Sequence, residues 1–486
     1  MTMQSINFGN FEPDLPDIVT PGTSIAKNCL PHQNSYLQWL AISTDSNALD
    51  AYCRGAVSFS DSAGNSEMFA GDDTKLYRLA TATWTSVGGA TYDCGDESYW
   101  QFVKWGEKVI ATNFDDEIQI RNFGASGTFG NLGGSPPKAR HIGIVRGFVV
   151  LGDVTDGTHY SNRVQWSGLE NETSWGTVPS TQADFQDLYG DGGRVMAVAG
   201  GDVGIIFQER AIWEMEYIGA PMIFRFTNTA VGMGTPAARS VVRYGNSVFF
   251  YSQDGFMRYD LGGGLTAIGD KKIDQFFKAR ATVLQRYRMV GYVDVPNAKV
   301  IWSYATGEGD PTELIVYDWK TDNWSYIEVN HEIIFDGRSL GYTLDGLDSV
   351  NTSVDALPAS LDADMWKGGQ LALYVFATDH KSGTFGGAAL TARIETGEIA
   401  SGEKEYVYCD GVRPVVAGGS ATNTVYIATR NNLNEDITYS SGVTASAIGD
   451  HNFRSTSRYM RFRVDIAGGF DEAIGVQANI ETKGRR

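Results

Sequence analysis

The chain is poor in residues that commit a protein to metal, disulfide or membrane chemistry. Its 486 residues include only four cysteines, Cys29, Cys53, Cys94 and Cys409, with no CxxC pair and no regular spacing. They read as reduced thiols of a protein made in a cytoplasm, without a metal or disulfide role. The six histidines are scattered, and no pair has metal-ligand spacing. No run of about 18 apolar residues occurs, so no helix is expected to span a bilayer. The N-terminal stretch has acids and prolines where a signal peptide needs a basic and then an apolar segment. Positive charge is also short: 39 Lys and Arg stand against 58 Asp and Glu, a net −19. Nucleic-acid affinity comes mainly from Lys and Arg on phosphates, so this chain is not expected to grip DNA or an anionic membrane over its surface.

What is present points to many short strands. The length is about three times that of a usual domain, which predicts two or three units or one large repeat architecture. Glycine is high, 57 of 486, and aromatics make up 12%. Glycine turns joining aromatic-rich strands give that composition, and a helical bundle does not.

Residues 1–30 read as an extended arm, because Pro13, Pro16, Pro21 and Pro31 fix φ and remove backbone donors. Such an arm gains order by lying on something else, often a neighbouring subunit. From there to residue 345 the text is strand, turn, strand. Tyr77 and Trp84, and again Tyr317 and Trp324, lie seven apart with Thr81 or Thr321 between them, and Tyr259 with Thr266 keeps the spacing without the Trp. Such hairpin units recur every 40 to 58 residues. This period fits four-stranded blades packed in a circle. Residues 31–345 are therefore predicted to form a β-propeller of six or seven blades in an all-β chain, with a stacked pair of β-sandwiches as the other architecture. One helix is expected over 270–284, capped by Asp270 with Ile273, Phe276, Phe277, Val283 and Leu284 on one face, as an insertion between blades. A linker at 346–364 leads to a β-sandwich-like domain over 365–486. There Met460, Phe462, Val464 and Ile466 alternate with Arg461 and Arg463, and Ile474, Val476, Ala478 and Ile480 share one side of the last strand. Residues 346–486 hold 13 basic and 17 acidic residues, so −15 of the charge sits on the first 345.

Catalytic patterns fail one by one. Gly232-Met-Gly234-Thr-Pro-Ala237 fits the loose dinucleotide spacing but sits among hairpins with no long helix after it. Gly264 to Lys271 has Asp270 where a phosphate loop needs glycine. His331-Glu332 lacks a second His four residues on. There is no GxSxG elbow. Ser252-Gln-Asp254-Gly255 is similar to the structural turn of sialidase-type propellers, which leaves a glycan-binding or glycan-cleaving propeller as the alternative function. No catalytic, cofactor or metal residue is assigned, and the chain is not expected to be an enzyme.

The segment from Gly55 to Phe277 resembles a family of bacteriophage tail proteins. The carriers are Phe69-Ala-Gly71; Trp100 through Trp105 to Gly106; Ile110-Ala-Thr-Asn113; Pro137-Lys-Ala-Arg140; Trp166-Ser-Gly168; Ile206-Phe-Gln208-Glu-Arg210-Ala-Ile-Trp213; and Val248 to Asp254-Gly255, closing on Ile273 to Phe277. Their order is similar to the tail hub, also called the nozzle or packaged-DNA-stabilisation protein, of short-tailed phages. The resemblance covers about half the chain and fades after about residue 350. It implies a structural virion protein, assembled in the host cytoplasm, whose copies form a sixfold ring below the portal and adaptor. Such a ring continues the DNA channel, helps retain packaged DNA, and carries fibres or spikes and a needle or plug, with no membrane partner and no cofactor. DNA passes through without specific binding, so the channel-facing surface of residues 1–345 is expected to be acidic. The arm and Arg454, Arg458, Arg461 and Arg463 are the candidates for subunit or partner contact.

Overall fold

The computed structural model describes residues 2–16, 22–338, 353 and 371–483, apart from 63, 81, 125, 401–404 and 448. The fold is all-β and built on a propeller. Five antiparallel four-stranded sheets follow one another along the chain at 55–86, 101–131, 138–187, 195–231 and 242–267, and a sixth antiparallel set of four strands, at 290–328, begins a larger sheet. A seventh consists of Ile333–Arg338, Leu371–Phe376, Lys381–Thr384 and, as its outer strand, Ser43–Ala48 from near the N-terminus. We number these sheets blades 1 to 7. The inner strand of blade 7, Ile333–Arg338, packs on the inner strands of both blade 6 and blade 1, so the circle closes.

The sequence forms blades because its middle strands must be buried on both faces. In Lys108–Thr112, Val109 and Ala111 enter the core shared with blade 1, while Ile110 enters the core shared with blade 3. In Phe148–Asp156, Phe148 and Val150 face blade 4 and Val149 and Leu151 face blade 2. Val203–Gln208 repeats the device with Ile206 on one side and Ile205 and Phe207 on the other. A period of two with both faces covered reads as an uninterrupted apolar run, which only stacked sheets can bury. The three Tyr-containing repeats all fall on the hairpin between the third and fourth strands of a blade, yet their registers differ. Tyr317 pairs directly with Trp324, whereas Trp84 pairs with Leu79 and Tyr259 with Leu265.

The helical insertion lies between blades 5 and 6 but is shorter than predicted. Helix α1 spans Asp274–Arg280, with Ile273 rather than Asp270 at its N-cap, and a 3-10 segment Val283–Arg288 follows. Ile273 and Phe277 are buried, whereas Val283 and Leu284 are exposed because the chain leaves the helix before reaching them.

The N-terminal stretch is not an arm reaching outward. Thr2–Asn7 pairs with the last strand, Glu472–Lys483, and Thr23–Lys27 sits between Asn323–Glu328 of blade 6 and Ala392–Thr396. The prolines permit this because the strands lie between them, and Pro31 falls on Cys29–His32, an edge strand of its sheet. With Tyr406–Ala417, Thr422–Arg430, His451–Ser457 and Tyr459–Ala467, these segments make the β-sandwich. Domain boundaries shift accordingly. Residues 371–384 belong to blade 7 rather than to the C-terminal domain, and the proposed linker at 346–364 lies outside the described residues except for residue 353. Met460, Phe462, Val464 and Ile466 face the sandwich core as expected. In the last strand Val476 and Ala478 do so, but a register shift opposite Val415 and Val416 turns Ala473 inward in place of Ile474.

Propeller and sandwich share one core. Trp302 and Trp324 of blade 6 are fully buried and stacked, and the same cluster runs through Phe8, Phe11 and Tyr36 to Phe462 and Val476. Asn28, at φ 56°, completes the ladder: its N–H donates to the Tyr326 carbonyl, and its side-chain oxygen accepts the Glu328 N–H, each at 2.8 Å. One eleven-stranded sheet therefore runs from blade 6 into the sandwich.

Candidate functional site

The residues that carried the family resemblance do not converge on one site. Each fixes a turn or joins neighbouring segments. Trp100 is buried and donates to the Asp72 carbonyl at 2.9 Å, tying blade 2 to blade 1. Trp105 donates to Glu172 at 3.0 Å, tying blade 2 to blade 3. Asn113 accepts from the Asp116 N–H at 2.9 Å and donates to its carboxylate at 2.7 Å. Trp166 donates to the Gln182 carbonyl, and Gln208 donates to that of Gly193 while accepting from Trp213. Arg210 is exposed and donates to the Asp191 carbonyl. Asp254 is exposed in its turn, and Gly255 adopts φ +142°, where a Cβ would lie 2.1 Å from the Asp274 carboxylate. Glycine is required there for backbone geometry.

The four arginines proposed for partner contact separate by burial. Arg454 is exposed, and Arg458 and Arg463 are half-buried. Arg461 is buried beside Glu395 at 3.5 Å and Glu398 at 3.7 Å. Arg463 lies over the Tyr426 ring at 3.9 Å and near Asp465 at 3.7 Å. Arg461 is engaged within its own sheet and is not available to a partner.

One buried pair brings a serine hydroxyl onto a histidine ring. The Ser303 hydroxyl and His331 Nε2 are 2.6 Å apart, and His331 Nδ1 lies 2.9 Å from the Val329 carbonyl, so His331 donates there and accepts from Ser303. Both side chains are wholly buried, and burial pulls the His331 pKa down to about 4. Among the described residues no cluster of His, Cys, Asp or Glu has the makings of a metal site, and no helix is long and apolar enough to cross a membrane.

Charge gathers instead at one end of the propeller axis. Arg54, Arg194, Arg239 and Arg288 each stand just before the inner strand of a blade, and Arg140 stands near the start of another. They come from blades 1, 4, 5, 6 and 3. Buried Asp153, at φ 54°, takes Arg140 at 3.2 Å, Arg194 at 2.8 Å and His159 at 2.5 Å. Arg54 pairs with Asp96 at 2.9 Å and Arg288 with Asp310 at 2.8 Å. Arg239 reaches across the axis. Its guanidinium donates to the Arg54 carbonyl at 3.3 Å and the Tyr287 carbonyl at 3.2 Å, and lies 4.6 Å over the Tyr99 ring. Burial pulls its pKa below the ordinary arginine value, and pushes that of Tyr99 up to about 12. An arginine side chain keeps its proton even so. This mouth can hold negative charge.

Sequence reading missed this cluster because its members lie one per blade, far apart in the chain. Superposing the blade starts would have found it: Arg54-Gly-Ala-Val, Arg194-Val-Met-Ala, Arg239-Ser-Val-Val and Arg288-Met-Val-Gly each place an arginine before a short strand.

No family model matches the chain, and no curated protein does. Among solved structures it is similar to the crystal structure of the computationally designed Ika8 protein, at 12% identity over 71% of this chain and 98% of that one, with a TM-score of 0.37. It is also similar to a chain in the crystal structure of the Mitotic Checkpoint Complex, at 9% identity over 73% and 93%, with a TM-score of 0.39. TM-scores this low leave both likenesses without bearing on function.

Proposed function

We propose that the chain is a structural subunit of a short-tailed bacteriophage tail, the hub or nozzle that continues the DNA channel below the portal and adaptor. The observation that carries this reading, beside the ordered motifs between Gly55 and Phe277, is the lock between propeller and sandwich. One sheet and one core join the two lobes, giving a stiff block suited to bearing load in an assembly. Lateral contacts in a ring need large apolar surfaces. Blade 4 offers Ile218, Met222 and Val231 exposed on its long outer hairpin, and Tyr189 is exposed just before that blade. The net −19 suits a wall that duplex DNA slides past.

The partner-contact role rests on Arg454. Replacing Arg461 by Glu would set a third carboxylate beside Glu395 and Glu398 and damage the sheet, so it does not test contact. Purified protein is expected to form rings of about six copies in negative stain and by sedimentation, and antibodies to it should label virion tails. A single-copy mass together with absence from virions would refute the reading. Arg454→Glu should reduce incorporation into tails while leaving the thermal midpoint unchanged.

A further inference from the structure

We propose that the arginine-lined mouth of the propeller axis is a binding site for a phosphate-type oxyanion. This goes beyond the tail reading and holds whether or not the chain forms a ring.

Two observations carry it. A cavity of about 200 Å³ opens there, lined by Tyr52, Arg54, Ser98, Arg239, Tyr287 and Arg288, with Asp96 at its rim. Its charge does not balance. Asp96 is taken by Arg54 and Asp310 by Arg288, while no ion pair to Arg239 occurs among the described residues. A guanidinium taken from water without a counter-charge is costly. An oxyanion in the cavity supplies the missing charge.

The geometry also selects the class of anion. Arg54, Arg239 and Arg288 enter from blades 1, 5 and 6, three directions around the axis. A planar carboxylate serves one arginine fork well, whereas a tetrahedral phosphate can accept from several sides. Tyr287 accepts from Arg288 Nε at 3.2 Å, which leaves its own hydroxyl proton to donate to the anion. In a chain of net charge −19, a partly enclosed mouth lined by three arginines is locally basic.

The test uses the full chain and three probes at equal ionic strength: inorganic phosphate, glycerol phosphate and acetate, with chloride as the background. Phosphate should raise the thermal midpoint saturably and give a measurable heat of binding, and acetate should do neither. If glycerol phosphate matches inorganic phosphate, the site takes phosphate esters as well. If it fails, the site is confined to the free ion. Removing a charged hydrogen-bond donor should weaken phosphate binding about tenfold in both Arg239→Met and Arg288→Met. Arg288 lies at the wall and does not bridge backbone carbonyls, so its variant serves if Arg239→Met fails to fold. A phosphate effect no larger than that of chloride or acetate, or one unchanged in Arg288→Met, would overturn the site.

Discussion

The N-terminal segment makes two attachments, and they are built from opposite materials. Residues 2–16 and 22–38 enter the junction of blades 5 and 6 with the sandwich, where Phe8, Phe11 and Tyr36 join a core around Trp302 and Trp324. Phe11 lies 5.4 Å from the Phe276 ring, and its N–H donates to Asn323 at 2.9 Å. A few residues later, Ser43–Ala48 closes blade 7 with a polar and mostly exposed strand. Asn47 adds a side-chain clasp, accepting the Trp84 N–H at 2.6 Å. The junction is held by apolar burial, which is large and cooperative. The seam is held by backbone hydrogen bonds, each worth about 1 kcal/mol net. The outer strand of blade 7 should therefore open first, while its inner strands stay packed in the apolar core shared with blades 1 and 6.

The largest effect that separates the two regions is expected at Trp302. Its ring is fully buried, stacks on Trp324, and donates to the Ser240 carbonyl at 2.9 Å. Trp302→Ala should cost about 4 kcal/mol. Because the core is shared, the denaturation midpoint should fall as a single transition. A sandwich that unfolds separately from the propeller would break the claim of one core. A smaller and local effect is expected at the seam. A Cβ on Gly383 would lie 2.1 Å from the Ser43 carbonyl oxygen, so Gly383→Ala must push the closing strand outward. The cost should be about 2 kcal/mol. Amide exchange should quicken at 43–48 and 381–384, while amides around Trp324 keep their protection.

The same contrast decides how much could be read beforehand. Apolar runs such as Phe148 to Leu151 and Ile205 to Phe207 record burial on both faces, and from them the all-β class and the propeller were legible. The polar strand Ser43-Thr-Asp-Ser-Asn-Ala48 leaves no such trace, because its pairing partner is some 330 residues away and its own side chains face water. The prolines of the first 31 residues argued against strands and were answered by strands placed between them. The mouth was hidden for a different reason: one arginine per blade forms a cluster only after the circle closes.

Acid should sharpen the description of the junction and of the end of blade 6, since two buried groups there titrate with opposite sign. His331, at the end of blade 6 nearest blade 7, has its pKa pulled by burial to about 4. Between its unfolded value near 6.5 and that point, the unfolded chain binds a proton that the native chain refuses. Wild-type stability is therefore lost through this group as pH falls from about 6.5 toward 4, at a limiting slope of about 1.4 kcal/mol per pH unit. Asp274 lies at the junction, accepting the Phe256 N–H at 3.0 Å, and burial raises its pKa to about 6. Here the native state holds the proton first, so this group adds stability as pH falls from about 6 toward 4. Denaturation of His331→Gln at pH 6.5 and 4.5 should show a smaller loss on acidification than wild type, and Asp274→Asn a larger one. The remaining groups cancel in each difference. Equal slopes in all three proteins would mean that neither side chain is held in the burial described.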